Sequence, residues 1–561
     1  MLGCGLWLLA ALGIFIRAAS QRFSLPAWPL ADADYYGYLN PALSKLTGGG
    51  FDHSIAREFL YPAFVFLNLC GFGDFRAITI SQHFLGLATG GILLMAWQQF
   101  LALRRVPAAT LGGARGFALA ALRQPPALVM VWVYLCDRST VLAEHTIRPE
   151  AVFPLVAALS VWLTLRFVRL RWVDARPSAA WEIGAVQLFV SGVLFMLRPS
   201  FAFGVGFVNL PLAVALCARG EPWAAKLRPV AWALAAAVVL LFLPEAVLRR
   251  PDRLATTLLP SMRLLVHGDL VLRQLDADLA PGHPTRYDRE MLTAFRARLA
   301  HALEVSRQPE NHPWARLGFN PDYIYLHEGV FEPFFPAADV NADRPLARFC
   351  NDYCVRTALH QPLAMGGKVL RQLTFFYEFT PLVKPLFHRL GRRRGERVQF
   401  SDDTLYPLAL RSFAYPPFHR LLEVSAMGPP YLQACERLAR SKRAVPQIAA
   451  VQRAARVLTA LYLPVLIVAL LACALVHWFR AGNHLSLRAW TVLLLYAYNF
   501  GTSLTIATVF YLGQGRYIEM QKTFTLFSEF AALCFLGQCA VAAWRQLPRR
   551  IEPDVLTDPA P

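Results

Sequence analysis

Apolar runs long enough to cross a bilayer recur along most of this chain, and no other feature narrows its fold as much. A hydrocarbon core takes about 20 helical residues to span. Runs of that kind read at 2–16, 78–103, 116–136, 149–168, 182–198, 200–217, 229–248, 454–478, 489–512 and 523–544. With 561 residues, 56% of them hydrophobic and 17% charged, the chain reads as an all-α multi-pass membrane protein with about 10–12 transmembrane helices. Its length alone would allow several soluble domains, but the composition argues against them. Disorder, collagen and a small disulfide scaffold are excluded. Residues 2–16 end at Arg17 and carry no basic segment before them, so they read as a first transmembrane helix and not as a signal peptide. Arg123, Pro125 and Pro126 interrupt the 116–136 run. The apolar piece 59–73, with Pro62 and Gly71, is short for a crossing.

The charge pattern tests this parse. The net charge is +19, and all but six of the 56 basic residues are Arg. Such an excess suits nucleic acid or anionic substrates. The positive-inside rule accounts for it without either, and no nucleic-acid partner is expected. If the N-terminus is cytoplasmic and 59–73 enters the membrane without crossing, the basic residues segregate. Arg104, Arg105 and Arg115 fall inside, as do Arg166, Arg169, Arg171 and Arg176, then Arg219, Lys226 and Arg228, Arg480 and Arg488, and Arg545, Arg549 and Arg550. Ten crossings with one re-entrant or interfacial piece satisfy the rule. Three parts result: an N-terminal transmembrane module 1–248 with a first outer loop 17–58, an extracytoplasmic domain 249–450 of mixed helix and loop, and C-terminal helices with a short cytoplasmic tail, 451–561. The Arg392-Arg393-Arg394 run is the one biased tract.

Seven of the ten cysteines lie in or beside apolar stretches, where Cys acts as a small hydrophobe. Cys350, Cys354 and Cys435 fall in the polar central region, and an extracytoplasmic disulfide there stays open. His283, His312, His327 and His360, with Glu328 and Glu332, show no HxxxH or HExxH spacing, so no metal site is expected. Gly48-Gly49-Gly50 follows no strand and precedes Phe51, which makes it a turn and not a phosphate loop. The first outer loop carries more chemistry. Asp32 and Asp34 are followed by Tyr35, Tyr36 and Tyr38, then by Arg57-Glu58-Phe59-Leu60-Tyr61-Pro62. A carboxylate at the membrane face can take a proton from an acceptor hydroxyl; the same two Asp residues would also suit the N-cap of the next helix. Glu144 and Glu150 flank the start of a span, where an ionisable group is costly unless paired, and His145 and Arg148 are the nearest partners.

The loop from Asp34 through Tyr38 to Arg57–Pro62 resembles the first extracytoplasmic loop of the GT-C superfamily of integral-membrane glycosyltransferases, in the bacterial branch of protein O-mannosyltransferases and aminoarabinose transferases. Asp32 is the competing match for the acid. Further similarities follow in the family's order: Arg148-Pro149-Glu150, Leu197-Arg198-Pro199, His360-Gln361-Pro362 opening an interfacial helix, and Arg516-Tyr517 before the last helix. The resemblance spans most of the chain except the interior of 249–450. It implies transfer of a sugar from a polyprenyl-phosphate donor to a glycan, lipid or protein acceptor, at the periplasmic side of a bacterial inner membrane and among membrane lipids. Asp34, with Asp32 as alternative, would be the catalytic base. Arg57, Tyr38, Glu150, Arg198, Arg516 and Tyr517 would bind substrate, the arginines holding phosphate bidentately. A lipid phosphate leaves without an acid, so one carboxylate suffices where a glycosidase needs two. No cofactor is implied, and the family is divided over divalent metal.

Two other functions compete. An O-antigen ligase or polymerase also uses lipid-linked glycans, but such ligases place their key Arg and His later in the chain. A transporter or lipid flippase would carry polar groups at mid-membrane and show repeats; here the polar groups sit at span ends and no repeat is visible.

Overall fold

The computed structural model describes residues 2–30, 36–51, 58–103, 124–218, 220–248, 260–314, 316–335, 344–378, 416–441, 445–478, 483–510 and 515–546. Among these residues every regular element is a helix, and one isolated parallel bridge joins Leu30 to Thr146. Among the described residues nine helices are long and apolar enough to cross a membrane, ten if one bent pair is counted as a single span. The protein is thus an all-helical, multi-pass membrane protein.

The chain enters with α1, Leu2–Phe23, followed by α2, Tyr36–Leu46, and α3, Leu60–Phe72. Helix α1 does not stop at Arg17, as expected from the sequence. It runs one and a half turns further because Arg22 is neutralised inside the bundle and need not reach water. Helix α3 has 13 residues, about 20 Å of rise, too short for the hydrocarbon core. Gly73 ends it in the left-handed region (φ 62°), with its N–H bonded to the Leu69 carbonyl, a conformation that costs glycine nothing. Next comes α4, Arg76–Ala102. The end of α1 and the start of α4 meet through a shared carboxylate, so the chain leaves and re-enters at the same end of the bundle, here called the upper end. The short helix α3 thus lies between two passages that meet at the same end.

The expected 116–136 span is described only from residue 124. It forms α5, Pro125–Cys136, and the chain then bends by 47° at Asp137 into α6, Arg138–His145. Further passages follow: α7, Phe153–Val168, and α8, Pro177–Leu197; then a single span made of α9, Ala202–Val208, and α10, Leu210–Cys217, which meet at Asn209; then α11, Trp223–Ala237, continuing through a π turn into α12, Leu243–Leu248. Prolines open α5, α8 and α10, where a missing N–H leaves no bond unmade.

At the lower end, Arg171 and the Trp181 indole both bond the Glu221 carboxylate, and the buried Lys226 ammonium donates to the Leu216 and Ala218 carbonyls. Arg488 reaches the Leu101 carbonyl at 2.8 Å and also bonds Gln538. The loops bearing these basic residues therefore share one end, as the charge pattern required. Arg104, Arg105, Arg115, Arg219 and the Arg392–Arg394 run lie outside the described residues.

The central region is helical. Helices α13, Pro260–Val266, α14, Gly268–Asp278, α15, Arg289–Ser306, α16, Pro321–His327, and α17, Arg344–His360, enclose a separate apolar core around Leu264, Val271, Leu292, Phe295 and Phe349. Pro362 starts α18, Pro362–Glu378, at the position expected. Two short helices, α19, Pro416–Val424, and α20, Gly428–Ser441, precede the closing spans α21, Ala449–Trp478, α22, Asn483–Val509, α23, Gly515–Met520, and α24, Lys522–Gln546.

The central lobe sits on the upper end of α22. His267 Nε2 lies 2.7 Å from the Thr508 carbonyl, and Gln372 donates to the Ala507 carbonyl at 2.9 Å. Trp314 packs edge-on against Phe510. On the opposite flank Tyr431 stacks on Phe75 at 4.2 Å and donates to the Pro29 carbonyl at 2.6 Å. Cys350, Cys354 and Cys435 are buried free thiols.

Candidate functional site

Three buried polar groupings crowd the upper end. Glu144, in the last turn of α6, is the centre of the first. Arg22 holds its carboxylate bidentately, Nε to Oε2 at 2.7 Å and Nη2 to Oε1 at 2.6 Å, and donates Nη1 to the Leu135 carbonyl at 2.7 Å. His83 Nδ1 lies 2.8 Å from the same carboxylate. Arg22, His83 and Glu144 are exposed by 0%, 1% and 2%, so the charges survive burial only because they meet each other. Gly86, one turn along α4 from His83 and Gln82, lets the carboxylate in: a Cβ there would run into Glu144. Gln82 donates to the Glu144 carbonyl at 2.7 Å and accepts from Tyr61 Oη at 2.7 Å. Tyr61 in turn meets Tyr38 edge to face at 5.5 Å.

The second grouping forms at the bend after α5. Lys522, the first residue of α24, bonds the Asp137 carboxylate and the Ser139 hydroxyl, and lies 2.8 Å from Glu519 Oε2 on α23. The third is the buried ion pair of Arg198 with Glu150, whose Oε2 has no partner among the described residues. Between the three lies a pocket lined by Tyr134, Thr140, Glu144, Glu150, Glu519 and Lys522, with a cavity volume of about 20 Å³. That is room for a water molecule, not for a sugar. Among the described residues no three His, Cys, Asp or Glu side chains gather as a metal would require.

The residues singled out in the sequence fall differently. Glu150 and Arg198 come together, though they are 48 positions apart. Tyr38 is 5% exposed and packs on Tyr61. Tyr517 is half-buried, edge-on to Phe510 at 5.8 Å, on the same short helix as Glu519. Arg516 lies on that helix too, but its side chain is outside the described residues, as are Asp32, Asp34 and Arg57 altogether. The chain on either side of the Asp loop is anchored to the bundle. Leu30 exchanges backbone hydrogen bonds with His145 and Ile147 at 2.6 and 3.0 Å, and Phe59 N–H donates to Glu245 at 2.8 Å. One expectation is corrected. Glu144 pairs with Arg22 and His83, and Glu150 with Arg198; neither takes His145 or Arg148. The helix ends, not sequence neighbours, bring the partners in.

Arg22, His83, Asp137, Glu519 and Lys522 were missed. Each is an ionisable residue within or at the edge of an apolar run, which is the signal that could have found them. No protein-family model matches this chain, and no curated protein and no solved structure is similar enough to be matched with it.

Proposed function

We propose that this protein is an integral-membrane glycosyltransferase with a GT-C-like fold, moving a sugar from a polyprenyl-phosphate donor to a glycan, lipid or protein acceptor at the periplasmic face of a bacterial inner membrane. The observation that carries the reading is the convergence of polar side chains from α1, α4, α6, α8, α23 and α24 at one end of the bundle, directly beside the start of the loop bearing Asp32 and Asp34. A lipid phosphate would lie at that depth. Asp34 would take the proton of the acceptor hydroxyl. Lys522 and Arg198 are already neutralised by Asp137, Glu519 and Glu150. A donor phosphate would thus be held by Arg57 and Arg516, or would displace one of those carboxylates. The narrow pocket must open for the sugar, and Glu150 Oε2 is an acceptor that a sugar hydroxyl would satisfy. Membranes containing the protein should transfer label from a radiolabelled polyprenyl-phosphate sugar to an endogenous acceptor, and membranes lacking it should not. Equal transfer by both would overturn the reading.

A transporter or lipid flippase is the second reading. The bend at Asp137 favours it, since a broken helix beside polar groups is a transporter's hallmark. Vesicle uptake or lipid scrambling without glycosyl transfer would select it.

A further inference from the structure

Glu529 stands two turns into α24 from Lys522, inside a candidate span, and is 0% exposed. Among the described residues neither of its oxygens has a hydrogen-bond partner, and no cation is paired with it. From α22 it faces Tyr496, whose Oη is likewise unpartnered, and Tyr377 of α18 and Tyr462 of α21 adjoin Tyr496. From α5 the titratable groups are Tyr134 and Cys136, which belong to the Arg22–Glu144 grouping, and from α7 Arg166, which sits over Trp162. An ionised carboxylate so placed would lack both water and a counter-charge, at a cost of several kcal/mol.

A line of hydrogen bonds leads toward it from the upper end. The Gln521 side chain accepts from Ser503 at 3.1 Å, and its carbonyl accepts from Thr525 Oγ1 at 3.0 Å. Asn499 donates to Thr525 Oγ1 at 3.1 Å and to Tyr462 Oη at 3.0 Å. Thr525 is one helical turn from Glu529, so both lie on one face of α24. Asn499 Oδ1, like Tyr496 Oη, is left without a donor. Glu529 thus lies fully buried, with no hydrogen bond and no ion pair among the described residues.

We propose that Glu529 is a membrane-buried proton-binding site, loaded from the upper end along the Gln521–Thr525–Asn499 line. A proton on Glu529 removes the buried charge. The site is separate from the pocket and stands whether or not the chain transfers sugar. The test uses the full-length protein in lipid nanodiscs, without added sodium. A hydrophobic carbodiimide, which reacts only with protonated carboxyls in an apolar setting, is added across a pH series, and peptides are read by mass spectrometry. Glu529 should be labelled near neutral pH, and labelling should vanish in alkaline medium. An infrared band of a protonated carboxylic acid should be present, and absent from Glu529→Gln. In Thr525→Val and Asn499→Leu that band should persist while its exchange in heavy water slows several-fold. No labelling of Glu529 in the folded protein, labelling indifferent to pH, or protection by sodium ions at constant pH would overturn the proposal, the last by making the ligand a metal cation.

Discussion

Arg22 with Glu144, Arg198 with Glu150, and Lys522 with Asp137 carry their buried charges in matched groups, and removal of one member has a calculable effect. Glu144→Gln leaves the Arg22 guanidinium buried without a carboxylate. Breaking such a pair costs about 3–5 kcal/mol, so thermal unfolding in detergent should show a marked drop in Tm; an unchanged Tm would mean that water reaches Arg22. His267 makes a second case, outside the spans. Burial pushes its imidazole down from 6.5 to about 4, with the Lys368 charge adding to the effect. Its Nε2 must carry the proton that the Thr508 carbonyl accepts, so the neutral ring is the form the fold holds. Between those two pH values the unfolded lobe binds a proton that the folded one refuses. Stability is therefore complete above pH 6.5 and is lost as pH falls toward 4, by about 3 kcal/mol in all. His267→Gln should flatten that acid slope, measured by hydrogen exchange in the lobe; a slope as steep as before would place the titration elsewhere. Legibility at this scale was partial. Glu144 and Glu150 stood out because an acid beside an apolar run needs a partner. Their partners are 122, 61 and 48 residues away, and no local pattern ties Arg22 or His83 to Glu144. His145 and Arg148 were nearer in the chain but not in the bundle.

Elements were easier to read than their ends. Every span expected from hydropathy whose residues are described corresponds to a helix, because burial in hydrocarbon forces the backbone to bond within itself. The errors lie where polar chemistry overrides hydropathy. Helix α1 continues past Arg17 because Arg22 has Glu144, and α5 bends at Asp137 because that carboxylate serves Lys522. The close approach of α4 and α6 depends on Gly86. Gly86→Ala would press a methyl on the Glu144 carboxylate, and overpacking of this kind costs about 1–3 kcal/mol. Combined with Glu144→Ala, which makes room, the penalty of Gly86→Ala should largely disappear; additive losses in the double variant would show that the contact is not what limits that site.

For the whole molecule, the alternation of helices puts Arg171, Lys226 and Arg488 at one end and the central lobe, Leu30 at the edge of the Asp loop and the polar groupings at the other. Reporter fusions after residue 170 should read cytoplasmic and fusions near residue 300 extracytoplasmic; the reverse would turn the bundle over and move the proposed site to the cytoplasm. Membrane class and the grouping of loops were legible because they depend on composition and charge, which the chain displays residue by residue. The build of the lobe was not, since α13–α17 are ordinary amphipathic helices whose partners are set by tertiary packing. The most direct test of the account is the rate of sugar transfer from a polyprenyl-phosphate donor by Asp34→Asn in membranes with matched protein levels. Loss of a general base removes about 10²–10⁴-fold, so a rate lowered by that much, with donor binding intact and a smaller loss in Asp32→Asn, is the predicted result. Normal transfer by the Asp32→Asn, Asp34→Asn double variant would contradict it.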